Sequence, residues 1–319
     1  MDNKTFQQES IRTNSPHAWL LAARPKTLSA AAVPVMIAVA MAVKDVEATS
    51  HISIRWGAAV LCLLFAWIMQ IDSNLVNDYF DCKHGNDGET RLGPKRACTE
   101  GWVTLKAMKR AIALTTMAGC AVGLPLIWFG GIEMVLVGVC CVVFCFLYTT
   151  CLSYHGMGDL LVLLFFGIVP VCCTYYVVLP PELQCVTVQV AALSLACGMA
   201  VDTLLVVNNY RDRDGDRLDN KNTLVVRIGQ KNAERLYCAL GNIAILIVMA
   251  SVVADTLNDK GNCIFLPFAA LYIGLHNLTY HKMKKIGKGR ELNKVLGMTA
   301  RNIFVFGIVT VIMLAGACL

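Results

Sequence analysis

Apolar residues in this chain come in long runs, separated by short polar connections. Nine such runs stand out, at 18–43, 56–77, 107–128, 132–151, 158–179, 186–208, 234–254, 262–281 and 297–317. A helix that crosses a bilayer needs about 20 mainly apolar residues. The pattern therefore predicts an all-α fold, a polytopic membrane bundle of nine transmembrane helices around a central cavity. Residues 1–16 read as a polar N-terminal segment without a cleavable signal pattern. Residues 17–319 read as one membrane-embedded domain.

Composition agrees with the pattern. Of 319 residues, 56% are hydrophobic and only 16% charged, well below the quarter that soluble domains carry. Mean hydropathy is +0.58. The charges settle the expected sidedness. Residues 1–26, 78–110, 209–235 and 281–294 together hold 24 of the 28 Lys and Arg residues. These stretches alternate with connections that carry almost none. The positive-inside rule then predicts a cytoplasmic N-terminus and an external C-terminus. The net charge of +6 is confined to those connections, so it signals a lipid bilayer partner and no nucleic acid. The 15 cysteines lie mostly within apolar runs and form no CxxC pair, so they read as packing residues rather than a disulfide or zinc framework.

Chemistry enters where the second and sixth runs end. On a helix, Asn74, Asn77, Asp78 and Asp81 share one face, because neighbours three and four apart lie over each other. Gly85 can turn the chain so that Asp87 returns toward that face. After the sixth run, Asn208, Asp212 and Asp216 stack at spacings of four. The windows 78–89 and 212–219 hold eight of the 22 acids, beside many Arg and Lys. A solvated, charged helix end explains either cluster alone. Two such clusters together suit a magnesium-bound diphosphate, since carboxylates hold the cation and basic side chains hold the anion.

Other polar positions are more ambiguous. Arg24 and Lys26 open the first run, as interfacial anchors or as anion contacts. Arg91 and Arg96 flank a Gly93-Pro94 turn and can fork onto phosphate oxygens. Lys221, five residues past Asp216, can reach the same anion. Tyr154 and Asp159 lie in the connection between the fourth and fifth runs, where they can meet an aromatic acid or serve as an interfacial ring and a helix cap. His155 reads as structural. Asp72 and Asp202 lie inside runs, where a carboxylate is costly and faces the bundle interior; both read as supports behind the site. No GxxxxGK[ST] loop is present.

Together these stretches resemble the UbiA superfamily of intramembrane prenyltransferases, whose two Asp-rich motifs match Asn77-Asp78-Tyr79-Phe80-Asp81 and Asp212-Arg213-Asp214-Gly215-Asp216. Segments Arg24 to Leu28, Arg91 to Ala97, Tyr154 to Asp159 and Lys221 to Gly229 are most similar to the branch that prenylates 1,4-dihydroxy-2-naphthoate. The first motif departs from the superfamily's common form: its third Asp position is Gly85, and the next acid is Asp87. The resemblance implies a Mg2+-dependent transfer from a polyprenyl diphosphate to a hydroxylated aromatic acid, with loss of CO2. Asn77, Asp78, Asp81, Asp87, Asp212 and Asp216 would hold the metal. Arg91, Arg96 and Lys221 would neutralise phosphate, and Arg24, Lys26, Asn74, Tyr154, Asp159 and Asn208 would contact substrates. Asp78, Asp81, Asp212 and Asp216 would carry the catalysis. Prenylation of 4-hydroxybenzoate is the near alternative. A cation-coupled transporter is the distant one, although its acids would be expected near the membrane midplane. The DG…AR…G…D…D pattern of CDP-alcohol phosphotransferases is absent.

Overall fold

A computed structural model describes residues 11–47, 53–85, 92–258 and 263–316. Ten helices make up the architecture: α1 Pro16–Ala23, α2 Leu28–Glu47, α3 Trp56–His84, α4 Leu105–Gly123, α5 Glu133–Thr150, α6 Gly158–Val178, α7 Val188–Leu218, α8 Leu224–Leu257, α9 Ala269–Ile286 and α10 Leu292–Ala315. The described residues contain no strand. Eight helical segments are long and apolar enough to cross a membrane. The expected run at 262–281 corresponds to α9, which is not among these eight; it has 18 residues and carries Lys284 and Lys285 in its last turn. The protein is thus an all-helical integral membrane bundle.

The first run differs from the single span predicted over 18–43. Ser15 caps α1 by accepting from the Ala18 amide, with Pro16 in the first turn. Arg24 then takes a left-handed conformation (φ 50°) and Pro25–Thr27 form a 3-10 turn before α2 begins. Proline restricts the residue before it and cannot continue the α1 hydrogen bonding. As a result α1 packs beside α3, where Ala18 and Ala22 meet Leu75 and Val76. The spanning helix is α2.

Burial sorts the helices. In α7, 67% of the most apolar window is buried, against 6% in α5 and 11% in α4. A helix that is apolar all round yet uncovered by protein suits a lipid-facing position, so α4 and α5 form the flank and α2 and α7 the interior. Both α3 and α7 overshoot the apolar layer. The 29 residues of α3 give about 44 Å at 1.5 Å per residue, while a bilayer's hydrocarbon layer is about 30 Å thick. The surplus turns carry the two polar clusters. Gly85 closes α3 in a left-handed conformation (φ 72°).

The α6–α7 crossing is very close. A Cβ on Gly167 would lie 2.6 Å from the Ser194 carbonyl oxygen, and one on Gly198 would lie 2.9 Å from the Leu163 carbonyl oxygen. A π turn at Leu164–Ile168 interrupts α6 at this crossing. The antiparallel register that pairs 167 with 194 and 163 with 198 also brings Asp159 level with Asp202.

Candidate active site

A cavity of about 550 Å3 opens between α2, α3, α4, α5, α6 and α7. Phe65, Met69, Phe144 and Phe165 line its apolar body. Arg24, Asn74, Asn77, Tyr148 and Asn208 line its polar end. Asn74 donates to the Ala23 carbonyl at 3.0 Å and to Thr27 Oγ1 at 2.9 Å, which ties α3 to the break between α1 and α2. Asn77 Oδ1 accepts from Thr149 Oγ1 at 2.5 Å.

One helical turn beyond Asn77 and Asn208 stand Asp81 and Asp212, as the spacing predicted. Each carboxylate has a guanidinium on it. Arg96 pairs with Asp81. Arg211 forks onto Asp212, with Nε to Oδ1 at 2.8 Å and Nη2 to Oδ2 at 2.6 Å. Asp216 lies 3.7 Å from Lys221 Nζ, and the Lys221 amide donates to the Asp216 carbonyl at 2.8 Å. Lys221 Nζ also sits 5.9 Å from the Tyr154 ring centre. The Asn222 amide donates to the Tyr154 carbonyl at 3.0 Å, which docks the α5–α6 connection onto the α7–α8 connection. His155 is structural, as expected: its Nδ1 meets the Cys151 carbonyl at 2.9 Å and its carbonyl accepts from Arg227. Tyr148 of α5 lines the same cavity end as Asn77 of α3 and Asn208 of α7. Both polar clusters therefore converge on one cavity end.

Asp78 behaves differently from Asp81. It is 1% exposed, and its two oxygens accept from the amides of Ala97 at 2.9 Å and Cys98 at 3.1 Å. Its carboxylate holds the 92–104 loop that presents Arg96. Asp72 turns away from the cavity, accepting from Thr116 at 3.0 Å and from Thr115, and so joins α3 to α4. Lys26 is exposed and does not line the cavity, in keeping with the anchor reading. Asp214 is exposed on the far side of α7. Asp87 and Arg91 lie outside the described residues.

The donor chemistry fits a hard cation. Asp216 Oδ2, both Asp159 oxygens and Asp202 Oδ1 are buried without a hydrogen-bond partner, a costly arrangement unless a proton or cation joins them. Among the described residues, no three His, Cys, Asp or Glu side chains are grouped closely enough to hold a metal by themselves. Magnesium keeps several waters and takes substrate phosphate oxygens beside one or two carboxylates, and Asp81, Asp212 and Asp216 are hard oxygen donors of that kind.

Sequence reasoning passed over Arg211, Tyr148 and Asn293. Arg211 lies within the second cluster but was indistinguishable there from its neighbours. Arg213 turns the other way, stacking 4.4 Å from the Tyr210 ring centre and donating to Gln230. Asn293 carried no signal at all.

Comparison with known proteins agrees with this geometry. The profile of the UbiA prenyltransferase family matches residues 31–295. Over 315 residues the chain is 32% identical to the 1,4-dihydroxy-2-naphthoate octaprenyltransferase of Escherichia coli (strain K12), covering 95% of this chain and 97% of that protein. It is 30% identical over 254 residues to the protein of the same name from Haemophilus influenzae, covering 75% and 78%. A solved UbiA homolog from Aeropyrum pernix K1 shares the fold, with a TM-score of 0.64, 16% identity and coverage of 88% and 97%. So does one from Archaeoglobus fulgidus bound to DMAPP and Mg2+, with a TM-score of 0.59, 13% identity and coverage of 92% and 99%. A family match over most of the length, on a bundle whose two carboxylate helix ends meet at one cavity, makes this chain a member of the UbiA prenyltransferase family.

Proposed function

We propose that the protein transfers a polyprenyl group from polyprenyl diphosphate to 1,4-dihydroxy-2-naphthoate, with loss of CO2, giving demethylmenaquinol. One observation carries the reading: an apolar cavity of about 550 Å3 ends in the carboxamides Asn74, Asn77 and Asn208, with Asp81 and Asp212 one helical turn beyond them on α3 and α7. An apolar tail fits its body and a charged diphosphate fits its mouth. The relatives named for this reaction support the choice of acceptor.

The roles follow from chemistry. Asn77, Asp81, Asp212 and Asp216 would hold Mg2+, with Asp87, six residues past Asp81 in the sequence; Asp78 would contribute mainly by holding the 92–104 loop. Bound magnesium supplies Lewis-acid stabilisation of charge on a leaving diphosphate. Arg24, Arg91, Arg96 and Lys221 would neutralise the phosphate oxygens. Arg96 and Lys221 sit on Asp81 and Asp216, so basic groups stand at the site. When the allylic C–O bond breaks, the aromatic cavity wall excludes water that would quench a prenyl cation. Asn74, Asn208, Tyr154 and Asp159 would orient the electron-rich acceptor. Both clusters leave the bundle at one end, beside the basic connections. This supports a cytoplasmic active site and N-terminus and an external C-terminus; the bacterial relatives support a bacterial plasma membrane.

The test uses membranes containing the protein, Mg2+, a polyprenyl diphosphate and one of two acceptors, with products identified by mass. Decarboxylated, prenylated naphthoquinol from 1,4-dihydroxy-2-naphthoate alone is the expected result. Product only from 4-hydroxybenzoate would move the acceptor, and no consumption of diphosphate would overturn the proposal.

A further inference from the structure

The first turn of α10 reaches across the bundle to both carboxylate clusters. Arg211, whose side chain is 1% exposed, makes more than the fork to Asp212. Its Nη2 donates to Asn208 Oδ1 at 2.9 Å, and its Nη1 donates to Asn293 Oδ1 at 2.8 Å. The same Asn293 amide donates from Nδ2 to the Leu92 carbonyl at 2.8 Å. Leu92 begins the loop that Asp78 holds and that places Arg96 on Asp81. Leu296, one turn further along α10, lines the cavity, so this face of α10 looks into the site.

A single carboxamide therefore uses its acceptor on one half of the site and its donor on the other. Arg211 is a rigid planar donor that would otherwise be free to fork differently. With Nη1 held by Asn293, its remaining donors point to Asn208 and Asp212. The separation between the α7 carboxylates and the Arg96 loop is then fixed by one side chain.

We propose that Asn293 is a positioning residue for diphosphate binding, setting the two halves of the site at their working distance through Arg211 and Leu92. This rests on the prenyl-transfer reading above. No contact of Asn293 with substrate is required.

The test measures binding of Mg2+ with inorganic diphosphate to the full chain in detergent, by calorimetry, and then steady-state kinetics. Hydrogen bonds to a charged group are strong enough that losing the Arg211 contact should weaken affinity about tenfold. Asn293→Ala should show that loss and a matching rise in KM for the prenyl diphosphate, with KM for the aromatic acceptor unchanged. Asn293→Gln, which keeps both donor and acceptor, should recover part of it. Asn302→Ala is the control. It lies on the same helix and also bridges, donating to the Leu275 carbonyl at 3.1 Å and to Thr279 at 2.8 Å, but away from the site. It should lower thermal stability and leave diphosphate affinity within twofold. Should the alanine variant fail to fold, Asn293→Ser, a residue tolerated in a helix's first turn, is read in the same way. Unchanged affinity in the Asn293 variant, or an equal loss in Asn302→Ala, would overturn the inference. A wild-type protein that binds no diphosphate would instead overturn the proposed function itself.

Discussion

Asp78 and Asp81 lie three residues apart in one motif, yet the structure gives them different work, and that difference is measurable. Asp78 is buried and both its oxygens accept backbone amides of the 92–104 loop. In Asp78→Asn one oxygen becomes an NH2 group that faces an N–H donor. A hydrogen bond to a charged group contributes about 1.5–3 kcal/mol, and the variant loses one such bond and weakens the other, for about 3 kcal/mol in all. At about 1.4 kcal/mol per tenfold, the opened state of the loop becomes about a hundredfold more populated. Hydrogen exchange followed by mass spectrometry reads this in a peptide spanning residues 95–104, where the Ala97 and Cys98 amides should exchange about a hundredfold faster. Cys98 gives a second readout. Burial, with the Asp78 carboxylate beside it, pushes its thiol up to about 12, so at pH 8 it should resist alkylation in the native protein and label readily in Asp78→Asn. Asp81→Asn breaks only the pair with Arg96 and should leave exchange in this loop within about threefold while abolishing turnover. Equal protection of the Ala97 and Cys98 amides in wild type and Asp78→Asn would refute the argument.

Four further outcomes follow from the same structure. Asp212→Ala should abolish turnover while the protein still inserts and folds, and chelation should stop the wild-type reaction until Mg2+ is restored; turnover in full chelation would remove the metal from the mechanism. Lys44 and Asp255 form a buried pair at 2.7 Å, and Lys44→Met leaves the buried Asp255 carboxylate with the Gln189 amide but without its counter-charge, which costs about 3 kcal/mol; a thermal midpoint equal to wild type, by circular dichroism in detergent, would contradict this. Gly167→Ala puts a methyl 2.6 Å from the Ser194 carbonyl oxygen, so α6 and α7 must part, at about 1–3 kcal/mol of overpacking; Gly138→Ala, with nothing within 4 Å, should be silent in the same melt.

Much was legible in the sequence because lipid imposes a simple rule. A spanning segment must satisfy its backbone internally and show apolar side chains outward, so run length foretold the helices. Periodicity also placed Asp81 one turn beyond Asn77 and Asp212 one turn beyond Asn208, since neighbours four apart on a helix lie together whatever surrounds them. Tertiary structure decided what each face meets. Asp78 shares a face with Asn74 and Asp81, but only the fold of the 92–104 loop brings two amides to its carboxylate. Asp72 looked like a support for the site until α4 supplied Thr115 and Thr116. The first run reads as one continuous span, but Arg24 and Pro25 break it, and Asn74 bonds to the broken backbone. Asn293 stands 82 residues from Arg211, so no local pattern relates them; the helix packing that brings α10 against α7 makes them partners. Helical spacing is a property of one segment, whereas a donor and acceptor from different segments meet only when both are packed, and that is why this site's carboxylates were foreseeable and the groups that hold them were not.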